Sequence, residues 1–294
     1  MADLSRISRS SGALAMVAVD QREALRGMFA AHQSTPVSDA QLTKFKVDVA
    51  RELTPYASAL LVDQEFGLDA IVESKAMAKN SGLIAAADLL IGPAGGAATD
   101  TAVDPAVDPR RMAEIGAAGL KFLVLWRKDE SPEARLKLVN QFKEYCEIAQ
   151  LPSIIEIIVK PPTNSSIDFD REEQIIEAAK EASSWKPDLY KAEVPFHGEG
   201  DHSLIRRNAE RISEVIGGPW VVLSNGVKQE FFADAVKSCC QGGASGFLSG
   251  RAVWADIVGA EEIPTALREI SVPRLQKLAE IVDSYAKPWN SWSN

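Results

Sequence analysis

Eight short runs rich in Val, Ile, Leu and Ala recur along the 294 residues, alternating with longer, charged stretches of helical spacing. The runs fall at 13–20, 58–64, 82–88, 119–126, 153–159, 188–194, 219–224 and 244–249. Helices are expected around them at 22–32, 38–53, 68–80, 108–117, 131–149, 170–183, 202–216, 228–241 and 263–286, the second opening on Ser38 or Asp39 as N-cap. A run that is apolar on both faces is covered on both faces, which is the mark of parallel strands flanked by helices. The alternation therefore predicts an α/β chain, a (β/α)8 barrel of the TIM type, as one domain over 1–294 with a short tail at about 287–294. An open, doubly wound sheet is the alternative. It usually carries a glycine-rich phosphate turn after its first strand, whereas this chain has Val19-Asp20-Gln21-Arg22 there, with no GxGxxG and no Walker lysine. The Gly/Pro-rich stretch 91–109 reads as an irregular loop within the barrel.

A hydrophobic content of 46% supports a large core, and 32 Lys and Arg against 41 Asp and Glu give a net charge of −9. That balance argues against nucleic acid and against an anionic membrane surface as partners. Any anion must be caught locally. Cys146, Cys239 and Cys240 make no disulfide framework, and the adjacent pair in VKSCCQ reads as helix packing. A reducing, cytoplasmic setting is expected. The apolar run after the early arginines ends in Asp20-Gln21-Arg22-Glu23 without a cleavage-like site, so it reads as a strand and not as a signal peptide. Nothing approaches the roughly 20 apolar residues of a membrane span. Trp289 and Trp292, in the tail, are expected to pack back on the body or on a neighbouring subunit.

In such a barrel the site is built at the carboxyl ends of the strands. The ionisable groups there are Asp20 with Gln21 and Arg22, the Asp63-Gln64-Glu65 set, Lys121, Glu156, Lys191 with Glu193, and Arg251. The two-residue strand period puts Leu189, Lys191 and Glu193 on one face and Tyr190, Ala192 and Val194 on the other. A lysine facing an apolar interior near a second cation, for which Lys121 is the candidate, can hold an unprotonated amine that attacks a carbonyl to give a Schiff base. The competing reading is a structural ion pair of Lys191 with Glu156 or Glu193. Glu156, alone among aliphatic residues in SIIEIIVKPP, suits an acid/base role. Leu223-Ser224-Asn225-Gly226 and Ser249-Gly250-Arg251 follow the seventh and eighth strands, where barrels often hold phosphate. His32, His197 and His202 lack metal-ligand spacing, and His197 could reach substrate. Asp63-Gln64-Glu65 could bind Mg²⁺ or serve as a strand-end hydrogen-bond network. No metal and no cofactor is expected.

The segments AMVAVDQREALRGMFA, LKFLVLWR, SIIEIIVKPP, DLYKAEVP, VVLSNGV and GASGFLSGRAVW resemble, from about residue 10 to about 285, the class I aldolases that include the tagatose-bisphosphate and sulfofructosephosphate enzymes. DQREA-R-MFA and SGRAVW look closer to the sulfofructosephosphate branch. The resemblance implies a metal-free barrel that cleaves 6-deoxy-6-sulfofructose 1-phosphate to dihydroxyacetone phosphate and sulfolactaldehyde. Tagatose- or fructose-1,6-bisphosphate is the alternative substrate, and a non-catalytic sugar-phosphate-binding barrel the alternative class. By motif it implies Lys191 as the Schiff-base lysine, Glu156 as the acid/base and Asp20 with Lys121 as the substrate-orienting pair. Ser224, Gly226, Ser249, Gly250 and Arg251 fall at the carbon 1 phosphate, and Gln21 and Arg22 at the far end of the sugar. Asn225 departs from the small residue expected between Ser224 and Gly226. The implied partner is a phosphorylated sugar or sulfosugar, and members of the family form homo-oligomers, dimers or tetramers.

Overall fold

A computed structural model describes residues 2–93 and 96–292. Eight parallel strands close into a barrel: β1 (Leu14–Ala18), β2 (Ala59–Asp63), β3 (Gly82–Ala86), β6 (Gly119–Trp126), β7 (Ser153–Val159), β8 (Leu189–Glu193), β9 (Trp220–Leu223) and β10 (Gly246–Ser249). Each matches one of the eight apolar runs to within a few residues. The helices are α1 (Glu23–Ala30), α2 (Asp39–Leu53), α3 (Asp69–Glu73), α4 (Pro109–Glu114), α5 (Pro132–Ala149), α6 (Arg171–Trp185), α7 (His202–Ile216), α8 (Gln229–Gln241), α9 (Arg251–Trp254), α10 (Ile263–Ala266) and α11 (Val272–Tyr285). Ser38 caps α2 by accepting from the Gln41 amide at 3.2 Å, and a wide turn over Gln64–Leu68 leads into α3. The expected helix 263–286 is broken into α10, a wide turn and α11.

Strand parity sorts the core into two layers. Alternate residues such as Leu14, Met16, Ala59, Leu61, Ile84, Ile154, Leu189, Val221 and Leu248 fill the barrel interior. Their neighbours Ala15, Val17, Leu60, Val62, Ile155, Tyr190 and Val222 pack outward against the helices. The interior layer is closed below by Leu4 and Ile7 from the N-terminal segment, with Trp289 of the tail against them. Trp292 also packs back, its indole N–H donating to Ser245 Oγ at 3.2 Å, with Lys287 over its ring.

The stretch 91–109 is not simply an irregular loop. β4 (Asp88–Ile91) and β5 (Asp100–Val103) form an antiparallel hairpin that rises from the end of β3, Asp88 opposite Val103 and Ile91 opposite Asp100. Strands of four residues are too short to announce a period of two. Among the described residues no helix is long and apolar enough to cross a membrane.

Candidate active site

A cavity of about 370 Å³ opens at the carboxyl ends of the strands. Its floor is set by register. Glu156 lies directly across from Lys191 on the neighbouring parallel strand, and Lys121 is across from Ile154. All three are inward by parity, and the result is a tight cluster: Glu156 Oε2 accepts from Lys191 Nζ at 2.9 Å and lies 2.8 Å from Lys121 Nζ. Two lysine side chains thus share one carboxylate oxygen. Lys121 also donates to Asp20 Oδ2 and to Asp88 Oδ2, each at 2.9 Å. These groups are all nearly inaccessible to solvent, so their charges persist only because they are mutually paired.

The electrostatics follow from that pairing. Burial works against the charge of Lys121, but Asp20, Asp88 and Glu156 overrule it and hold its amine well above the usual lysine value. Burial likewise opposes the Asp20 carboxylate, and Lys121 and Lys191 hold it below the ordinary range. Lys121 is therefore a fixed cation. Arg22 is buried too; despite that burial its guanidinium is shifted upward, chiefly by Asp88, which accepts from Nη1 at 3.3 Å. Glu65 approaches Arg22 Nε at 4.0 Å, while Arg22 Nη2 and Gln21 Oε1 are buried with no partner among the described residues. Unsatisfied polar atoms at a cavity wall are what a bound polar ligand would engage.

The opposite wall brings together some of the residues expected to hold an anion. Ser224, Asn225, Gly250 and Arg251 line the cavity, and Asn225 Oδ1 accepts from Arg251 Nη2 at 2.7 Å. Asn225, the departure from the resembled pattern, thus aims the arginine. At Gly250 an added Cβ would come within 2.4 Å of the Ala18 carbonyl, so glycine there is required by close packing against β1. Gly226 and Ser249 do not line the cavity. Gly226 sits at φ +73°, and a Cβ would fall 2.6 Å from His197 Nδ1, so its role is to admit the His197 ring beneath the loop. Ser249 is buried beneath the mouth. The other nine expected site residues, Asp20, Gln21, Arg22, Lys121, Glu156, Lys191, Ser224, Gly250 and Arg251, all line it.

Residues 14–256 match the model of the DeoC/LacD family aldolases. The chain belongs to the DeoC/LacD aldolase family. It is a class I aldolase. A tagatose 1,6-diphosphate aldolase 2 of Streptococcus mutans is 30% identical over 97% of this chain and 95% of its own length. A tagatose 1,6-diphosphate aldolase of Staphylococcus aureus is 29% identical over 98% and 97%. Among solved structures, a Schiff base-forming fructose-1,6-bisphosphate aldolase superposes with a TM-score of 0.63 at 15% identity, covering 95% of this chain and all of that one. An archaeal fructose-1,6-bisphosphate aldolase gives 0.62 at 15% identity, over 96% of this aldolase and all of that chain. At that identity the likeness speaks for the barrel alone.

Two groups in the aldolase's site escaped sequence reading. Asp88 ends the third apolar run, where a strand-end carboxylate should have stood out, and it links Arg22, Lys121 and the Leu123 amide. Lys46, on α2, is fully buried and reaches the ends of β1 and β2, donating to the carbonyls of Val19 and Gln21, each at 2.7 Å, and to Asp63. Nothing in its helical setting signals this. It also accounts for Asp63, whose other oxygen accepts from the Phe66 amide at 2.8 Å. Asp63 is thereby committed to the strand-end network, which was the alternative to a magnesium site. The cysteines are buried in packing, with Cys240 pushed up to about 12 by burial.

Proposed function

We propose that this aldolase cleaves 6-deoxy-6-sulfofructose 1-phosphate to dihydroxyacetone phosphate and sulfolactaldehyde through a Schiff base on Lys191. One observation carries the chemistry: an inward lysine 2.9 Å from an inward glutamate on the adjacent strand, with Lys121, whose amine is held well above the usual lysine value, on the same carboxylate oxygen. The Lys191 amine, its proton passed to Glu156, adds to the carbon 2 ketone to form a carbinolamine. Glu156 returns a proton to the leaving hydroxyl, which departs as water and leaves an iminium. Glu156, again a carboxylate, takes the proton of the carbon 4 hydroxyl. The bond between carbons 3 and 4 then breaks, its electron pair passing into the iminium to give an enamine and the free aldehyde. Protonation of the enamine at carbon 3 and addition of one water release dihydroxyacetone phosphate and restore Lys191.

Lys121, kept protonated by its three carboxylates, donates to the sugar oxygens at carbons 3 and 4, and the Asp20 carboxylate accepts from the hydroxyls there. Ser224 and Arg251, with Gly250 beside them, hold the carbon 1 phosphate, which sets carbon 2 over Lys191. Gln21 and Arg22 contact the far half of the sugar. The sulfonate-ended substrate rests on the likeness of DQREA and SGRAVW to that branch. Tagatose 1,6-bisphosphate is the second reading, favoured by the named relatives at about 30% identity.

Borohydride reduction in the presence of dihydroxyacetone phosphate, followed by peptide mass mapping, tests the mechanism. A stable adduct on Lys191 is expected, absent in Lys191→Ala. No adduct in the wild type, or one on another lysine, would overturn the assignment. Turnover of the sulfonate- and phosphate-ended sugars side by side decides between the substrates.

A further inference from the structure

The five basic side chains around the cavity are not equally neutralised. Lys121 is shared by three carboxylates, Lys191 faces Glu156, and Arg22 faces Asp88 and Glu65. Arg251 touches only the neutral Asn225, and Lys160 has no side-chain partner among the described residues. Glu156 and Ile158 of β7 and Lys160, the residue just past its end whose amide still donates to the Trp126 carbonyl of β6 at 2.8 Å, all line the cavity. Four residues of strand place it roughly 13 Å above Glu156, towards the mouth. Arg251, by contrast, follows β10, three strands away round the barrel. The site therefore carries one uncompensated positive charge at each of two separated points, with the Schiff-base lysine at depth between them.

We propose that Lys160 is the residue that recognises a singly charged tetrahedral oxyanion at carbon 6 of the substrate, and so sets specificity for two-ended sugars. The inference rests on the proposed reading, in which the carbon 1 phosphate sits at Arg251 and carbon 2 at Lys191. With those points fixed, the rest of a six-carbon chain runs up towards the mouth, where Lys160 stands. Arg22 supplies the far half with a hydrogen-bond donor, Nη2, while its charge is already met by Asp88. A lone ammonium with a half-buried stem suits one negative charge better than two, because only one charge is compensated when the anion leaves water.

The test uses ligands that cannot react. Hexitol 1-phosphates, with the ketone reduced, are prepared ending at carbon 6 in a hydroxyl, a sulfonate or a phosphate, and their binding is measured by titration calorimetry. The wild type is expected to hold the sulfonate-ended hexitol about tenfold more tightly than the hydroxyl-ended one, a difference of about 1.4 kcal/mol. Lys160→Met should remove most of that preference and Lys160→Arg should keep it. A Met variant that retains the preference, or that loses affinity for all three ligands equally, would overturn the proposal. So would a phosphate-ended hexitol bound more than tenfold tighter than the sulfonate-ended one. The borohydride experiment separates the two readings: a preference carried by Lys160 without an adduct on Lys191 would support the anion site and sink the lyase mechanism.

Discussion

The cluster at the barrel floor is a set of buried charges whose stability depends on completeness. Lys121 has an amine raised by its carboxylates and Asp20 a carboxyl lowered by its lysines, so both pairings favour the folded state. The signs set a pH window. The Asp20 contribution is full above its unfolded value of about 3.9 and fades as pH falls through its lower folded value; that of Lys121 is full below about 10.4 and fades only above that. The destabilisation caused by Asp20→Asn should thus be constant between about pH 5 and pH 9 and shrink below about pH 4, as read from urea midpoints. Asp88→Asn keeps an acceptor for the Leu123 amide but leaves Lys121 and Arg22 short of charge, and should cost about 3 kcal/mol in the same measurement. Lys191, Glu156 and Lys121 were legible because strand parity and placement in the strands are sequence properties. Lys46 was not, because a helical lysine that reaches the strand ends looks in sequence like any lysine on a solvated face.

At the scale of elements, the barrel strands announced themselves because each is buried on both faces and so reads as an unbroken apolar run. The β4–β5 hairpin did not, since the apolar Leu89 and Ile91 stand exposed beside the mouth while polar Asp88 and Thr101 are buried, so the apolar pattern does not mark the buried face. Leu89, Leu90, Gly92, Pro93 and Gly96 to Ala98 form one side of the cavity. Arg127 reaches the hairpin through the Thr99 carbonyl at 3.4 Å. Replacing 89–102 with a short Gly-Ser linker should leave the melting transition nearly unchanged while lowering kcat/KM about 100-fold, through loss of substrate positioning. An unaltered rate would reduce the hairpin to a cover on the barrel rim.

For the whole molecule, function and stability lie at opposite ends of the barrel. The carboxyl ends hold the charged cluster, while Leu4, Ile7 and Trp289 seal the other end, with the Trp289 amide donating to the Gly12 carbonyl at 3.0 Å. Truncation after Ala286 removes Trp289 and Trp292 and should cost about 2–3 kcal/mol by denaturant titration, from the apolar area uncovered. The Lys191 adduct should still form. Sequence by itself determined the eight-unit barrel and most of the candidate site: a period of two sorts each strand into two faces, and strand direction puts the mouth at the carboxyl ends. Tertiary structure decided the partners. Pairing of β7 with β6 and with β8 sets Glu156 beside both lysines, while the strand ends bring Arg22 to Asp88 and leave Lys160 without such a partner among the described residues, since residues this far apart in the chain meet through strand register, which no local pattern encodes.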